Sequence, residues 1–226
     1  MNGFSNTIAV PAGSLLANLG LVAEKPGLYF VFFRNGIELL TRTDYFALSS
    51  DVPLRTDAGH LLYIGATTQG LRTRIKQHLK GDGRVSSLRR TVGVMLADEL
   101  QLRVHLGRMN FHFGEGEERL TRWLCDNTLI SVHPTKNPMG AEKFLIGTLS
   151  TPLNITARRT HPYAKHLMNL KALCKKRARE ENRSDETCPS PPRRSLMRVR
   201  RRRVVAPTCS KSQSFIRREM SFENSK

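Results

Sequence analysis

Two short stretches of the chain are apolar without interruption, and the segments after them are amphipathic. Residues 28–33 read Leu-Tyr-Phe-Val-Phe-Phe and residues 61–64 read Leu-Leu-Tyr-Ile, each beside a glycine. Runs this short, aromatic and branched, without polar alternation, are the pattern of central strands. Residues 34–60 between them are polar, with Asn35-Gly36 and Asp57-Ala58-Gly59 as turn signals. The period then becomes helical: Leu71, Ile75 and Leu79, spaced by four, predict a buried stripe over residues 70–80. Ser86-Ser87 is an N-cap signal for a second helix with Leu88, Val92 and Leu96 at the same spacing. Further helices are predicted around residues 117–125, with Leu120, Trp123 and Leu124 inward, over 139–149 and over 161–180, and a strand over 129–132.

At 226 residues with 39% hydrophobic side chains, the chain can hold one ordinary domain and an appendage. The appendage is marked by charge: residues 175–226 hold 16 Lys/Arg against 6 Asp/Glu, including Arg200-Arg201-Arg202-Arg203, with Pro189, Pro191, Pro192 and Pro207 interspersed. Too few apolar residues lie there to offset chain entropy, so a disordered basic tail is expected over residues 176–226. A domain over 25–175 and an N-terminal segment over 1–24 complete the division.

The net charge of +18 points to a polyanionic partner, nucleic acid before all, because basic surfaces gain from counterion release. An anionic membrane would satisfy the same charge, but no segment approaches the ~18 apolar residues of a spanning helix. The N-terminus lacks a signal-peptide pattern, so a soluble, cytoplasmic protein is expected. Cysteines at 125, 174, 188 and 209 show no C-x-x-C spacing, which speaks against a zinc finger or a disulfide framework.

Candidate chemistry gathers on the first helix. Arg74 and His78 each precede a stripe residue, so both line one edge of its buried face and reach a common cleft. Arg72, Lys76 and Lys80 repeat along the opposite edge as phosphate-tracking positions; an ordinary amphipathic helix with solvated cations would look similar. On the helix over 139–149, Glu142 shares a face with Leu145, Ile146 and Leu149. A carboxylate there needs a cation or hydrogen bonds. A hard divalent ion such as Mg²⁺ would supply the first, and a first-turn position facing the positive helix end is the alternative. Glu115, Glu117 and Glu118 read as N-terminal helix charges, and His105 and His112 as surface or edge residues.

With Gly27-Leu28-Tyr29, Tyr63-Ile64-Gly65, Arg74-x-x-x-His78, Glu142 and Asn154 in this order, the chain resembles the GIY-YIG nuclease superfamily. Residues 86–93 and Pro152-Leu153-Asn154 are also similar to a subgroup of small, mostly bacterial proteins built on this catalytic domain. Two departures stand out. Between Tyr29 and Tyr63 lie 33 residues where the compact family form has a short hairpin, so an insertion over about 34–60 is implied, and Thr156-Ala157-Arg158-Arg159 stands where a second Asn would be expected.

The resemblance implies an α+β fold, a small three-stranded antiparallel sheet flanked by helices, and hydrolysis of a phosphodiester, most simply in DNA, by water with Mg²⁺ or Mn²⁺ and no small-molecule cofactor. Tyr29 would be the candidate general base, with Tyr63 ordering the water and Arg74 on the scissile phosphate. His78 would support or relay a proton, Glu142 would hold the metal, and Asn154 would buttress the site. Arg72, Lys76, Lys80, Arg89 and Arg90 make up the expected nucleic-acid contacts. A phenol of pKa about 10 is only ~0.1% ionised at pH 7. One cation at ~4 Å and a dielectric of ~20 contributes about 4 kcal/mol, roughly 3 pKa units before desolvation, so a tyrosine base depends on cations nearby. A catalytically slow or inactive binding module of the same fold is the alternative; a protein that merely coats nucleic acid would leave the order of these residues unexplained.

Overall fold

The computed structural model describes residues 8–187. In chain order the elements are β1 (Val10–Pro11), α1 (Ala12–Ala17), β2 (Gly27–Phe33), α2 (Gly36–Thr41), α3 (Tyr45–Leu48), β3 (Arg55–Thr56), β4 (Gly59–Thr67), α4 (Leu71–Leu79), α5 (Ser87–Met95), β5 (His105–Leu106), β6 (Phe111–His112), α6 (Gly116–Asn127), β7 (Thr128–Pro134), α7 (Pro138–Thr148) and α8 (Pro162–Thr187). β2 is buried at every position because both faces of its sheet are covered. Tyr29, Val31 and Phe33 enter one core with Leu71, Ile75 and Leu79 of α4, Val92 of α5 and Leu120 of α6. Leu28, Phe30 and Phe32 enter the other with Leu61, Ile64 and Ile146 of α7. The fold is therefore α+β, an antiparallel sheet between helices.

The sheet has five strands in the order β1-β7-β2-β4-β3 rather than the three expected. The three long strands are the predicted ones. The added edges, β1 and β3, have two residues each, too short to show a period of two, and β1 ends in a proline. A separate ribbon pairs β5 with β6.

The remaining differences lie where local polarity hid tertiary packing. The turn expected at Asn35-Gly36 forms over Arg34 and Asn35, and Gly36 then opens the unexpected helix α2, whose Leu39 and Leu40 find buried positions. The inserted α2 and α3 are fastened to α8: Thr43 Oγ1 lies 2.7 Å from the Tyr163 hydroxyl, and the Tyr45 and Tyr163 rings meet edge-on at 4.7 Å. The segment before residue 25 also joins the fold, with β1 paired to β7 and Ala12 and Leu15 of α1 in the larger core. α8 continues to Thr187, beyond the boundary expected at 175, and the rest of the expected tail lies outside the described residues. Among the described residues no helix is long and apolar enough to cross a membrane, and Cys125 and Cys174 are free thiols.

Arg89 corrects one sequence expectation outright. Expected to contact nucleic acid, it is fully buried at the junction of α4, α5 and α6. Its Nη1 donates to the terminal carbonyls of α4 at His78 (3.1 Å) and Leu79 (3.2 Å), and its Nε and Nη2 donate to Glu117 Oε2 at 3.0 and 2.7 Å. Glu117 Oε1 meanwhile accepts the backbone amides of Gly83 (2.8 Å) and Phe113 (2.9 Å). Glu117 is thus a structural counterion and not only a helix-terminal charge. Removing it strands a buried guanidinium, so Glu117→Ala should cost about 3–5 kcal/mol in urea unfolding. Arg89→Met/Glu117→Leu should not recover the loss, because it leaves the Gly83 and Phe113 amides and the His78 and Leu79 carbonyls without their partners.

Candidate active site

Cross-strand register brings the two tyrosine motifs together. Tyr29 stands opposite Gly65, and Val31 opposite Tyr63, so both tyrosines occupy the sheet face that α4 covers. Their ring centroids are 6.1 Å apart. Gly65 is required by close approach: a Cβ there would lie 2.1 Å from the Tyr29 hydroxyl oxygen. Gly27 is similarly closed in, its missing Cβ only 2.5 Å from the His133 carbonyl oxygen and 2.6 Å from a Leu71 methyl.

α4 delivers the next pair. Their i,i+4 spacing sets Arg74 and His78 on the same edge, and both reach the buried Tyr29 hydroxyl: His78 Nε2 at 2.6 Å and Arg74 Nε, as donor, at 3.3 Å. His78 Nδ1 lies 2.7 Å from Ser86 Oγ, which also caps α5 by accepting the Arg89 amide. Arg74 is steadied by Gln77 Oε1 (3.0 Å) and the Val85 carbonyl (3.3 Å).

Burial governs the protonation of this group. The Tyr29 phenol is raised well above its ordinary value by desolvation first and by Tyr63, against the opposing pull of Arg74. His78 is lowered well below its ordinary value by desolvation and by the Arg74 and Arg89 charges. Both are neutral at pH 7. A protonated phenol needs an acceptor, and Nε2 is the acceptor within reach, which places the imidazole proton on Nδ1 toward Ser86.

Glu142 arrives from α7 on the opposite side of the sheet. It lines a cavity of about 240 Å³ with Tyr63, Ser87, Thr91 and Asn154. It also lines a neighbouring cavity of about 710 Å³ with Lys143, Arg158 and His161. Desolvation raises its carboxyl, opposed by a hydrogen bond from the Ala66 amide and by the Arg74 charge. Among the described residues no three His, Cys, Asp or Glu side chains form a metal cage. One half-buried carboxylate beside open space nevertheless suits a hard divalent ion, which takes one or two carboxylates and completes its shell with water and phosphate oxygens.

Asn154 takes up both backbone groups of Ile64, accepting its N–H at 2.9 Å and donating to its carbonyl at 2.7 Å. Its place is therefore in support of β4. Lys76 and Lys80 are exposed on α4. Arg72 instead donates to the Val22 (3.0 Å) and Gly20 (3.1 Å) carbonyls, holding the N-terminal segment. Arg90 is half-buried, with Nη1 donating to the Gly83 and Arg84 carbonyls. Ser86 escaped the sequence reading as a site residue, although its N-cap signal was visible and placed it eight residues beyond His78, at the start of the next helix.

Two consequences can be measured. Gly65→Ala should push the Tyr29 ring out of its bonds with His78 and Arg74 and lower stability by about 1–3 kcal/mol, read in thermal or urea unfolding. The depressed His78 means that the unfolded chain binds a proton the native protein refuses, so its contribution is present above pH ~6.5 and is lost as pH falls below that value. Urea midpoints between pH 7.5 and 5 should fall in wild type and flatten in His78→Gln.

No curated protein and no solved structure matches the chain. A family model described as the GIY-YIG catalytic domain matches residues 27–173, a span that begins at Gly27 and takes in both tyrosines, Arg74, His78, Glu142 and Asn154. The chain belongs to the GIY-YIG catalytic domain family, a family of nucleases.

Proposed function

We propose that this protein is a divalent-metal-dependent endonuclease that hydrolyses DNA phosphodiester bonds in the cleft between α4, α5 and α7. The observation that carries the reading is the Tyr29 hydroxyl, bonded at once by His78 Nε2 at 2.6 Å and Arg74 Nε at 3.3 Å. A buried phenol so placed has a route for its own proton. As water attacks phosphorus, Tyr29 Oη takes the water's proton and passes the phenolic proton to His78 Nε2, giving an imidazolium held through Nδ1 by Ser86. The bond from phosphorus to the leaving sugar oxygen breaks as the new one forms, and that oxygen takes its proton from solvent water.

The relay avoids a free phenolate, which burial disfavours here. Its cost is an imidazolium near Arg74 and Arg89, and this is offset when the anionic phosphate enters beside those cations. Arg74 binds the scissile phosphate and meets its developing charge; Tyr63 orders the attacking water. Glu142 would hold a Mg²⁺ or Mn²⁺ ion, whose charge would neutralise phosphate oxygens. Lys76 and Lys80 lie along the exposed edge of α4 where backbone phosphates can be met.

The test is plasmid nicking with Mg²⁺ or Mn²⁺. Tyr29→Phe should lower the rate by about 10²–10⁴, and Glu142→Ala should abolish the metal-dependent activity, while both variants still shift DNA on a gel. An inert wild type that binds DNA equally well would make the protein a binding module of this fold and not an enzyme.

A further inference from the structure

Among the described residues, a group of cations beside this cleft forms no ion pair. Lys171 of α8 donates from Nζ to Thr91 Oγ1 of α5 at 2.6 Å, while the Thr91 hydroxyl donates a hydrogen bond to the Ser87 carbonyl at 2.9 Å. Thr91 and Ser87 line the 240 Å³ cavity with Tyr63 and Glu142, so the Lys171 ammonium is tied to a residue of the cavity wall. Arg90, adjacent in α5, is close enough to feel both Arg74 and Tyr63. Lys175 lies one turn beyond Lys171, with Nζ 5.5 Å from the Phe111 ring centroid.

Among the described residues, Arg74, Arg90, Lys171 and Lys175 take part in no ion pair, and unlike the exposed cations that also lack one, all four are partly buried. Clustering like charges at partly buried positions is unfavourable in the unliganded protein. Burial, then Arg90 and then Lys175 pull the Lys171 ammonium down to about 7, and burial and Arg74 lower Arg90. An arrangement that works against the resting protein is relieved by an anion from outside.

We propose that Lys171 and Arg90 form a second phosphate-binding position, which grips the backbone phosphate next to the scissile one on the substrate strand. This builds on the reading of the cleft as a nucleic-acid site. The division of labour follows from position: Arg74 bonds to Tyr29 and faces the reacting phosphate, while Arg90 and Lys171 sit on the Tyr63 and Thr91 side. The grip holds the strand in register without touching the reacting atoms, so Lys171 is a binding and positioning residue.

The experiment compares full-length wild type, Lys171→Met and Lys171→Arg by fluorescence anisotropy on a short labelled DNA duplex, without divalent metal, at several salt concentrations, with thermal melts alongside. Lys171→Met should bind about tenfold more weakly and lose about one unit of slope in log K against log salt. Its Tm should rise by about 2–4 °C, since an uncompensated cation has been removed; a lysine that merely tied α8 to α5 would give the opposite sign. Lys171→Arg should restore the affinity. Wild-type affinity and slope in Lys171→Met would overturn the proposal, as would a loss that Lys171→Arg does not recover. Because the readout is binding, a wild type that fails to cleave would remove the nuclease reading and leave this result to be judged by itself.

Discussion

The buried pairing of Arg89 with Glu117 is the constraint from which the site's geometry follows. The last carbonyls of a helix have no partner within it, and those of α4 are met by a guanidinium that is wholly inside the protein. That contact fixes the end of α4, where His78 sits, to the start of α5, where Ser86 sits. Glu117 extends the same connection to α6 and to the backbone of Gly83 and Phe113. A charge so deep is tolerable only because every part of it is engaged. The return is positional: His78 is held from behind by Ser86 while it meets Tyr29 in front.

Electrostatics in the cleft follow from the same burial. The two groups that could exchange a proton, Tyr29 and His78, are driven in opposite directions and both rest neutral. Cations surround them, and Glu142 supplies a carboxylate from across the sheet. Such a site is strained toward accepting negative charge, and a phosphodiester is the ligand that brings it. In the proposed reaction, binding and proton transfer are coupled through one field, with the incoming anion lowering the cost of the imidazolium.

Much of this was legible in the chain because the signals were local. The uninterrupted apolar run of β2 required cover on both faces, and the stripe Leu71, Ile75, Leu79 fixed the α4 register that sets Arg74 and His78 side by side. The Ser86 cap was read correctly. What was missed depended on partners far away in sequence. Arg89 looked like any arginine on an amphipathic helix, and only Glu117, 28 positions on, makes it a core residue. Lys171 carried no motif, because its meaning lies in the company of Arg90 and Thr91. The edge strands β1 and β3 were too short for a period, and the packing of α2 and α3 rested on Tyr163, 120 positions after Thr43.

The place of the cleft follows from what the sheet leaves open. β3 pairs only with the start of β4, at Gly59 and His60, and the Leu54 carbonyl accepts the Leu61 amide at 2.8 Å, so from Leu62 onward the backbone groups of that edge need partners from elsewhere. A further strand would satisfy them but would also cover the cavity between Tyr63 and Glu142. The chain instead meets the edge with a turn: the Leu153 amide donates to the Leu62 carbonyl at 3.0 Å, and the Asn154 side chain completes both bonds of Ile64. An asparagine amide imitates a peptide group in donating and accepting at once, and an aspartate could not, because it lacks the donor. Asn154 therefore keeps β4 paired while occupying one side chain's width. That economy of space is what lets Glu142 from one face and Tyr63 from the other share a single opening.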